Sequence, residues 1–84
     1  MKYRVQVEVL PRRGILDPQG RAVADALRTL GFADVEEVHL GRHLVVELAA
    51  ASADAARASV TAMCERLLAN PVTEQFVVGA AETA

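Results

Sequence analysis

VEEVHLGRHLVVELA, residues 35–49, is the stretch on which the fold turns. Two apolar-rich runs, 35–40 and 44–49, flank Gly41 and Arg42, and together they read as a hairpin. Register then decides which side chains face inward, because a one-residue slip sends a whole strand's side chains to the other face. A two-residue loop would set Leu40 opposite His43 and Val38 opposite Val45. A three-residue loop sets Leu40 opposite Leu44 and Val38 opposite Val46. The second choice gathers Val38, Leu40, Leu44, Val46 and Leu48 on one face and is preferred, with a bulge near Glu36 and Glu37 as the alternative.

Upstream of this hairpin, residues 3–10 alternate, with Tyr3, Val5, Val7 and Val9 on one face and Arg4, Gln6 and Glu8 on the other. That is a strand with one buried face, and Pro11 ends it. Asp17 and Pro18 then form a helix start, an N-cap followed by a proline at the first helical position. Val23, Leu27 and Leu30 make one apolar stripe, and Gly31 suits a left-handed cap, so the spacing predicts a helix over about 18–30. Downstream, Ser52 caps a second helix with Asp54 in its first turn, and Asn70-Pro71 stops it. Its buried stripe is expected to be Ala56, Val60, Met63 and Leu67, widened by Cys64 and Leu68. Ala55, Ala58, Ala62 and Ala69 line a small-residue face, read either as plain helix propensity or as a surface for self-association. A last strand is expected over 72–78, and the tail 79–84 is expected to be loose. The order β-α-β-β-α-β predicts one α+β domain over 1–84: a ferredoxin-like antiparallel sheet with two helices on one face.

Composition narrows the function classes. Eighty-four residues make one small domain with a thin core. A net charge of −2, with 9 basic and 11 acidic residues in no run of one sign, lacks the basic footprint of a nucleic-acid binder. Tyr3, Phe32 and Phe76 are the only aromatics, too few for a base-stacking platform. The opening MKYRVQVEV alternates apolar and polar residues, so neither a signal peptide nor a membrane span is expected there. Cys64 is the single cysteine, which excludes an internal disulfide and fits a reducing, cytoplasmic setting.

The candidate chemistry fails residue by residue. GILDPQG, residues 14–20, could hold an anion at a helix N-terminus. It lacks GKS, GKT and GxGxxG, and Asp17 at the cap would repel a phosphate. A Cys64–His39 or Cys64–His43 nucleophilic pair is disfavoured, because Cys64 sits mid-helix among apolar neighbours with no cation to activate it. The two histidines flank a turn with no further cysteine, short of any zinc ligand set. Glu36 and Glu37 are strand neighbours that would face opposite ways. No catalytic, cofactor-binding or metal-binding residue is assigned. Gly20 in a first helical turn is costly for a helix, which suggests the close approach of another backbone, and Gln19 then has an amide free for a partner.

Three stretches together carry a family resemblance: LDPQG at 16–20, Val35-x-x-Val38-x-x-Gly41-Arg42, and LLANPVTEQF at 67–76. In their order and spacing, over about residues 2–78, the chain resembles the PurS family, the small subunit of phosphoribosylformylglycinamidine synthase. His39 and Arg42 stand where the family often has Arg and Lys, and Thr73, Gln75 and Phe76 where it often has Ile, Asp and Tyr. The resemblance implies a cytoplasmic homodimer or homotetramer in a purine-biosynthetic ligase complex. It implies a non-catalytic adaptor between a glutaminase subunit and a synthetase subunit, one that helps shield ammonia passing between them. ATP and magnesium are then expected on the synthetase subunit and no cofactor on this chain. Candidate partner contacts are Asp17, Gln19 and Gly20, and, more weakly, Arg42, Asn70 and Glu74. The alternative reading is a small-molecule-binding regulatory domain of ferredoxin-like type. An acylphosphatase-like hydrolase ranks lower, because Arg12, Arg13 and Asn70 do not form its anion-cradling arrangement.

Overall fold

The computed structural model describes residues 1–14 and 17–84, so Ile15 and Leu16 of the GILDPQG turn lie outside the described residues. The elements are β1 (Lys2–Pro11), α1 (Pro18–Thr29), β2 (Arg42–Ala49), α2 (Ala53–Met63) continued by a π-helical turn (Cys64–Leu68), and β3 (Glu74–Thr83). The strands form an antiparallel sheet in the order β2-β1-β3. The α+β class and the antiparallel sheet with two helices agree with expectation; the details differ in four places.

First, residues 35–41 form no strand, so the sheet has three strands and not four. β2 pairs instead with β1, placing Tyr3 opposite Leu48, Val5 opposite Val46 and Val7 opposite Leu44. Leu44, Val46 and Leu48 do share the inward face, but against β1 rather than against Val38 and Leu40. The period-two pattern of 35–40 is used differently: this segment runs back along α1. Arg28 of α1 donates from Nε to the Val35 carbonyl (2.9 Å) and from Nη2 to the Glu36 carbonyl.

Second, among the described residues α2 is the helix that packs extensively on the sheet. α1 is held at its base and along its return segment, forming with residues 34–41 an arm that stands off the sheet. The molecule is accordingly 50 Å long and 14 Å thick along its extreme axes.

Third, the buried stripe of the second helix changes course. Ala56, Val60 and Cys64 are fully buried, as the spacing requires. The Ala69 amide then donates to the Cys64 carbonyl, a five-residue step that inserts an extra residue into the turn. This rotates Leu67 outward, to 83% exposure, and brings Leu68 and Ala69 inward. Met63, also expected in the stripe, is left partly exposed, and Ala69 leaves the small-residue face for the core.

Fourth, the tail is not loose. β3 runs to Thr83, with Ala81 opposite Val5 and Thr83 opposite Tyr3. A bulge makes this possible: Gly79 and Ala80 together oppose the single residue Gln6. The extra residue resets the alternation, so Val78 and Ala81, three apart, both face inward. Arg57 of α2 donates to the Gly79 and Val78 carbonyls at 2.9 and 3.2 Å and holds the bulge in place.

The core is therefore one-sided. Tyr3, Val5, Val7 and Val9 of the central strand are covered by Ala56, Val60, Cys64 and Ala69. The opposite sheet face carries polar rows such as the Arg4–Glu47 ion pair, 2.9 Å.

Candidate functional site

All six residues expected to contact partners lie at one end of the sheet, where β1 finishes and β2 and β3 begin. They fall into two groups with different local causes.

The first group forms the base of the arm. Asp17 caps α1, its Oδ1 accepting from the Gly20 amide at 2.9 Å. Its second oxygen accepts from the Leu40 amide at 3.0 Å, so one carboxylate ties both ends of the arm together. Gly20 is buried, and a Cβ there would run into the Val38 carbonyl and the Asp17 carboxylate. The close approach expected at Gly20 is thus real, and the approaching backbone belongs to this chain's own return segment. The Gln19 side chain is exposed and makes no hydrogen bond to the other described residues. Gly41 closes the arm against β1, where an added Cβ would meet the Val9 carbonyl.

The two amide bonds, from Gly20 first and Leu40 second, hold the Asp17 carboxyl below its ordinary value near 3.8. Slight desolvation opposes them and His39 adds a weaker pull in the same direction. The folded arm thus favours the carboxylate, and the unfolded chain takes up the proton more readily. Asp17 contributes stability above the ordinary value and loses it as pH falls through the lower, folded value. In an acid titration followed by NMR, the Gly20 and Leu40 amide protons should shift together with a midpoint below 3.8. Asp17→Asn should abolish that common transition. Separate midpoints, or one above 3.8, would contradict the shared-carboxylate geometry.

The second group is a clamp turned onto itself. Arg42 Nη2 donates to the Leu68 carbonyl (2.9 Å) and to Glu74 Oε1 (2.8 Å). The same Glu74 oxygen accepts from the Asn70 amide at 2.8 Å, while the Glu74 amide donates back to the Asn70 carbonyl at 2.7 Å. Asn70 Oδ1 accepts from the Val72 amide at 3.0 Å. Arg42, Asn70 and Glu74 therefore fasten the end of the π-helical turn to the starts of β2 and β3.

Between the arm and the end of β1 runs an open groove of about 800 Å³. Arg13, Arg21 and Arg28 line it together with Asp17, Asp25, Glu36 and Glu37, so its charges nearly cancel. Such a lining offers an anion no excess of positive charge. Arg28 is the residue that sequence reasoning misses. Its pairing with Asp25 (2.8 Å) is visible as an i,i+3 spacing, but its bonds to the Val35 and Glu36 carbonyls are not.

The remaining chemical candidates are separated. Cys64 is fully buried, and burial, with a smaller push from Glu65, raises its thiol pKa. That is the environment of an inert core thiol. His39 lies 3.4 Å from Glu37 on the exposed arm, and His43 stands opposite Glu8 in the sheet. Among the described residues no cluster of three or more His, Cys, Asp or Glu is placed to hold a metal. No helix among them is long and apolar enough to cross a membrane.

Comparison with known proteins gives one answer. The model of the PurS family, described as phosphoribosylformylglycinamidine (FGAM) synthase, matches residues 4–82. The phosphoribosylformylglycinamidine synthase subunit PurS of Archaeoglobus fulgidus is 37% identical over 67 residues, 80% of this chain and 84% of the relative. That of Bacillus subtilis is 36% identical over 74 residues, 88% and 87%. Among solved structures, PurS of Thermus thermophilus superposes with a TM-score of 0.86 at 38% identity, covering 100% of this chain and 99% of that one. A chain of the PurLQS structure from Thermotoga maritima superposes with a TM-score of 0.86 at 29% identity, covering 95% and 98%.

Proposed function

This chain belongs to the PurS family, and from that premise we infer that it acts as a non-catalytic adaptor in glutamine-dependent synthesis of phosphoribosylformylglycinamidine. As a PurS subunit of that synthase it serves purine biosynthesis. The observation that carries the adaptor reading is the combination of a family match over nearly the whole chain with a sealed nucleophile: Cys64 has no exposure at all. The likeness to a chain of the PurLQS structure supports a place beside two larger subunits. In this reading a glutaminase releases ammonia from glutamine. A synthetase, with ATP and magnesium, uses that ammonia to convert formylglycinamide ribonucleotide to the amidine. The adaptor, a cytoplasmic homodimer or homotetramer, brings the two together and shields the ammonia in transit. Asp17, Gln19, Gly20, Arg42, Asn70 and Glu74 mark the end of the sheet offered to those partners, with Gln19 the side chain most available for contact. The regulatory-domain alternative would need a ligand-selective pocket, and the groove's balanced charges do not favour one.

The test is amidine formation by purified glutaminase and synthetase subunits, with and without this chain, and with ammonium salt as a control. Turnover on glutamine should require the chain, and turnover on ammonium salt should not. Equal glutamine turnover without the chain, and no complex under turnover conditions, would overturn the adaptor role.

A further inference from the structure

The segment 64–74 is fastened along its length, yet two of its apolar side chains are left in water. The Ala69 amide donates to the Cys64 carbonyl at 3.1 Å, and the Asn70 carbonyl accepts from the Thr73 and Glu74 amides at 3.2 and 2.7 Å. From outside the segment, Arg42 donates to the Leu68 carbonyl at 2.9 Å and Arg12 Nε to the Pro71 carbonyl at 3.1 Å. The Arg12 amide donates to the Thr73 carbonyl at 2.9 Å. On this frame Leu67 is 83% and Val72 75% exposed.

Single apolar residues on a surface are ordinary. Leu67 differs because the helix gives up its regular geometry to expose it. An uninterrupted α-helix would carry Leu67 into the buried stripe, seven residues beyond Val60. The π-helical turn inserts one residue and rotates Leu67 outward, and such turns gather at functional sites. Leu67 and Val72 thus project from backbone that is already ordered, which lowers the cost of association.

Charge indicates what covers them. Arg12, Arg13 and Arg66 are exposed and make no ion pair with the other described residues. Within the segment the Glu74 carboxylate is taken up by Arg42 and the Asn70 amide, which leaves Glu65 to oppose the three cations. In a chain of net charge −2 this is a local positive excess. A two-fold contact with a second copy through this patch would bring like charges together. The complement is an acidic surface on a different protein.

We propose that Leu67 and Val72 anchor this chain to a larger subunit of the synthase, in an apolar pocket whose rim of Asp and Glu side chains meets Arg12, Arg13 and Arg66. The aliphatic pair slows dissociation, and the arginines steer and orient the approach. The proposal rests on the adaptor reading above and deepens it by naming the surface and the chemistry of its partner. A wild-type chain that fails to support glutamine turnover defeats the adaptor reading. Variants that match a working wild type defeat the anchor alone.

The experiment assembles the complex from purified glutaminase and synthetase subunits under turnover conditions, read by sedimentation and by glutamine-dependent amidine formation. Leu67→Asp should weaken assembly at least ~30-fold, as expected for a central apolar anchor. The chain concentration giving half-maximal turnover should rise by the same factor, and the mass of the isolated chain should not change. Arg13→Gln with Arg66→Gln spares Arg12, whose bond to Pro71 holds the loop. It should weaken assembly at least ~3-fold at low salt and lose that effect near 1 M, where the screening length is only about 3 Å. Unchanged assembly by Leu67→Asp overturns the proposal. So does a Leu67→Asp chain whose own mass falls, because the patch then joins copies of this chain. An arginine variant that assembles more tightly than wild type overturns the acidic rim. Should Leu67→Asp disturb the π-helical turn, Val72→Asp, which lies outside it, decides by the same readouts.

Discussion

Gly20→Ala is expected to destabilise the arm by about 1–3 kcal/mol, the usual range for overpacking against atoms that cannot give way. The sign is the informative part. In a helix, replacing Gly with Ala ordinarily stabilises by about 0.8–1 kcal/mol. Here the new methyl would meet the Val38 carbonyl and both the Cγ and Oδ2 of Asp17. Those atoms are backbone and a carboxylate already engaged by two amides, so neither can swing aside without losing a bond. The return segment must lift from α1, and the Asp17–Leu40 bond should go with it. Amide exchange should accelerate at Leu40 and along α1 while the amides of β1 stay protected. Arg21→Ala, one residue on, alters an exposed position and should leave the arm within about 0.5 kcal/mol of wild type. A Gly20→Ala chain with a more protected arm would mean that the return segment does not lie where the structure places it.

Val7→Ala should be the most damaging conservative substitution in the sheet. Val7 lies on the central strand, fully buried, between Leu44 of β2 and Val78 of β3. Removing two methyl groups forfeits about 1.6 kcal/mol of transfer free energy at roughly 0.8 per methylene. A cavity left between three elements adds to this, for about 2–3 kcal/mol in all. A chain of 84 residues has only about 4–12 kcal/mol of total stability, so the loss is a large fraction. The melting temperature should fall by roughly 10–20 °C. Val45→Ala, on the open face of β2 and half exposed, should change stability by less than about 0.5 kcal/mol. Equal effects at the two positions would mean that both faces of the sheet are covered in solution, and would point to a partner on the open face.

Much of the candidate site is legible in the amino-acid sequence. Asp17 and Pro18 start α1 where expected, and Gly31, with φ of 105°, adopts the left-handed conformation predicted for the cap. The cost of a glycine in a first helical turn points to close backbone approach at Gly20, and that approach exists. Arg42, Asn70 and Glu74 read as separate surface contacts, yet the fold binds them to one another. Their positions, 28 and 32 residues apart from Arg42 to Asn70 and Glu74, carry no local signal of that meeting.

The sequence alone determined what depends on neighbours along the chain. The alternation of Tyr3 to Val9 specifies a one-faced strand, and Ser52 and Asp17 specify helix starts, because a cap satisfies amides only two or three residues away. The tertiary structure decided where pieces of equal local merit go. Residues 35–40 have the period of a strand, but Arg28 and Gly20 take up that segment along α1, and β1 takes β2 instead. Residues 79–83 look too poor in large apolar groups to order themselves, but a bulge held by Arg57 sets Ala81 beside Val5 and carries the pairing to the end of the strand. Backbone hydrogen bonds are indifferent to side-chain identity, so the choice among possible pairings falls to contacts between residues distant in sequence.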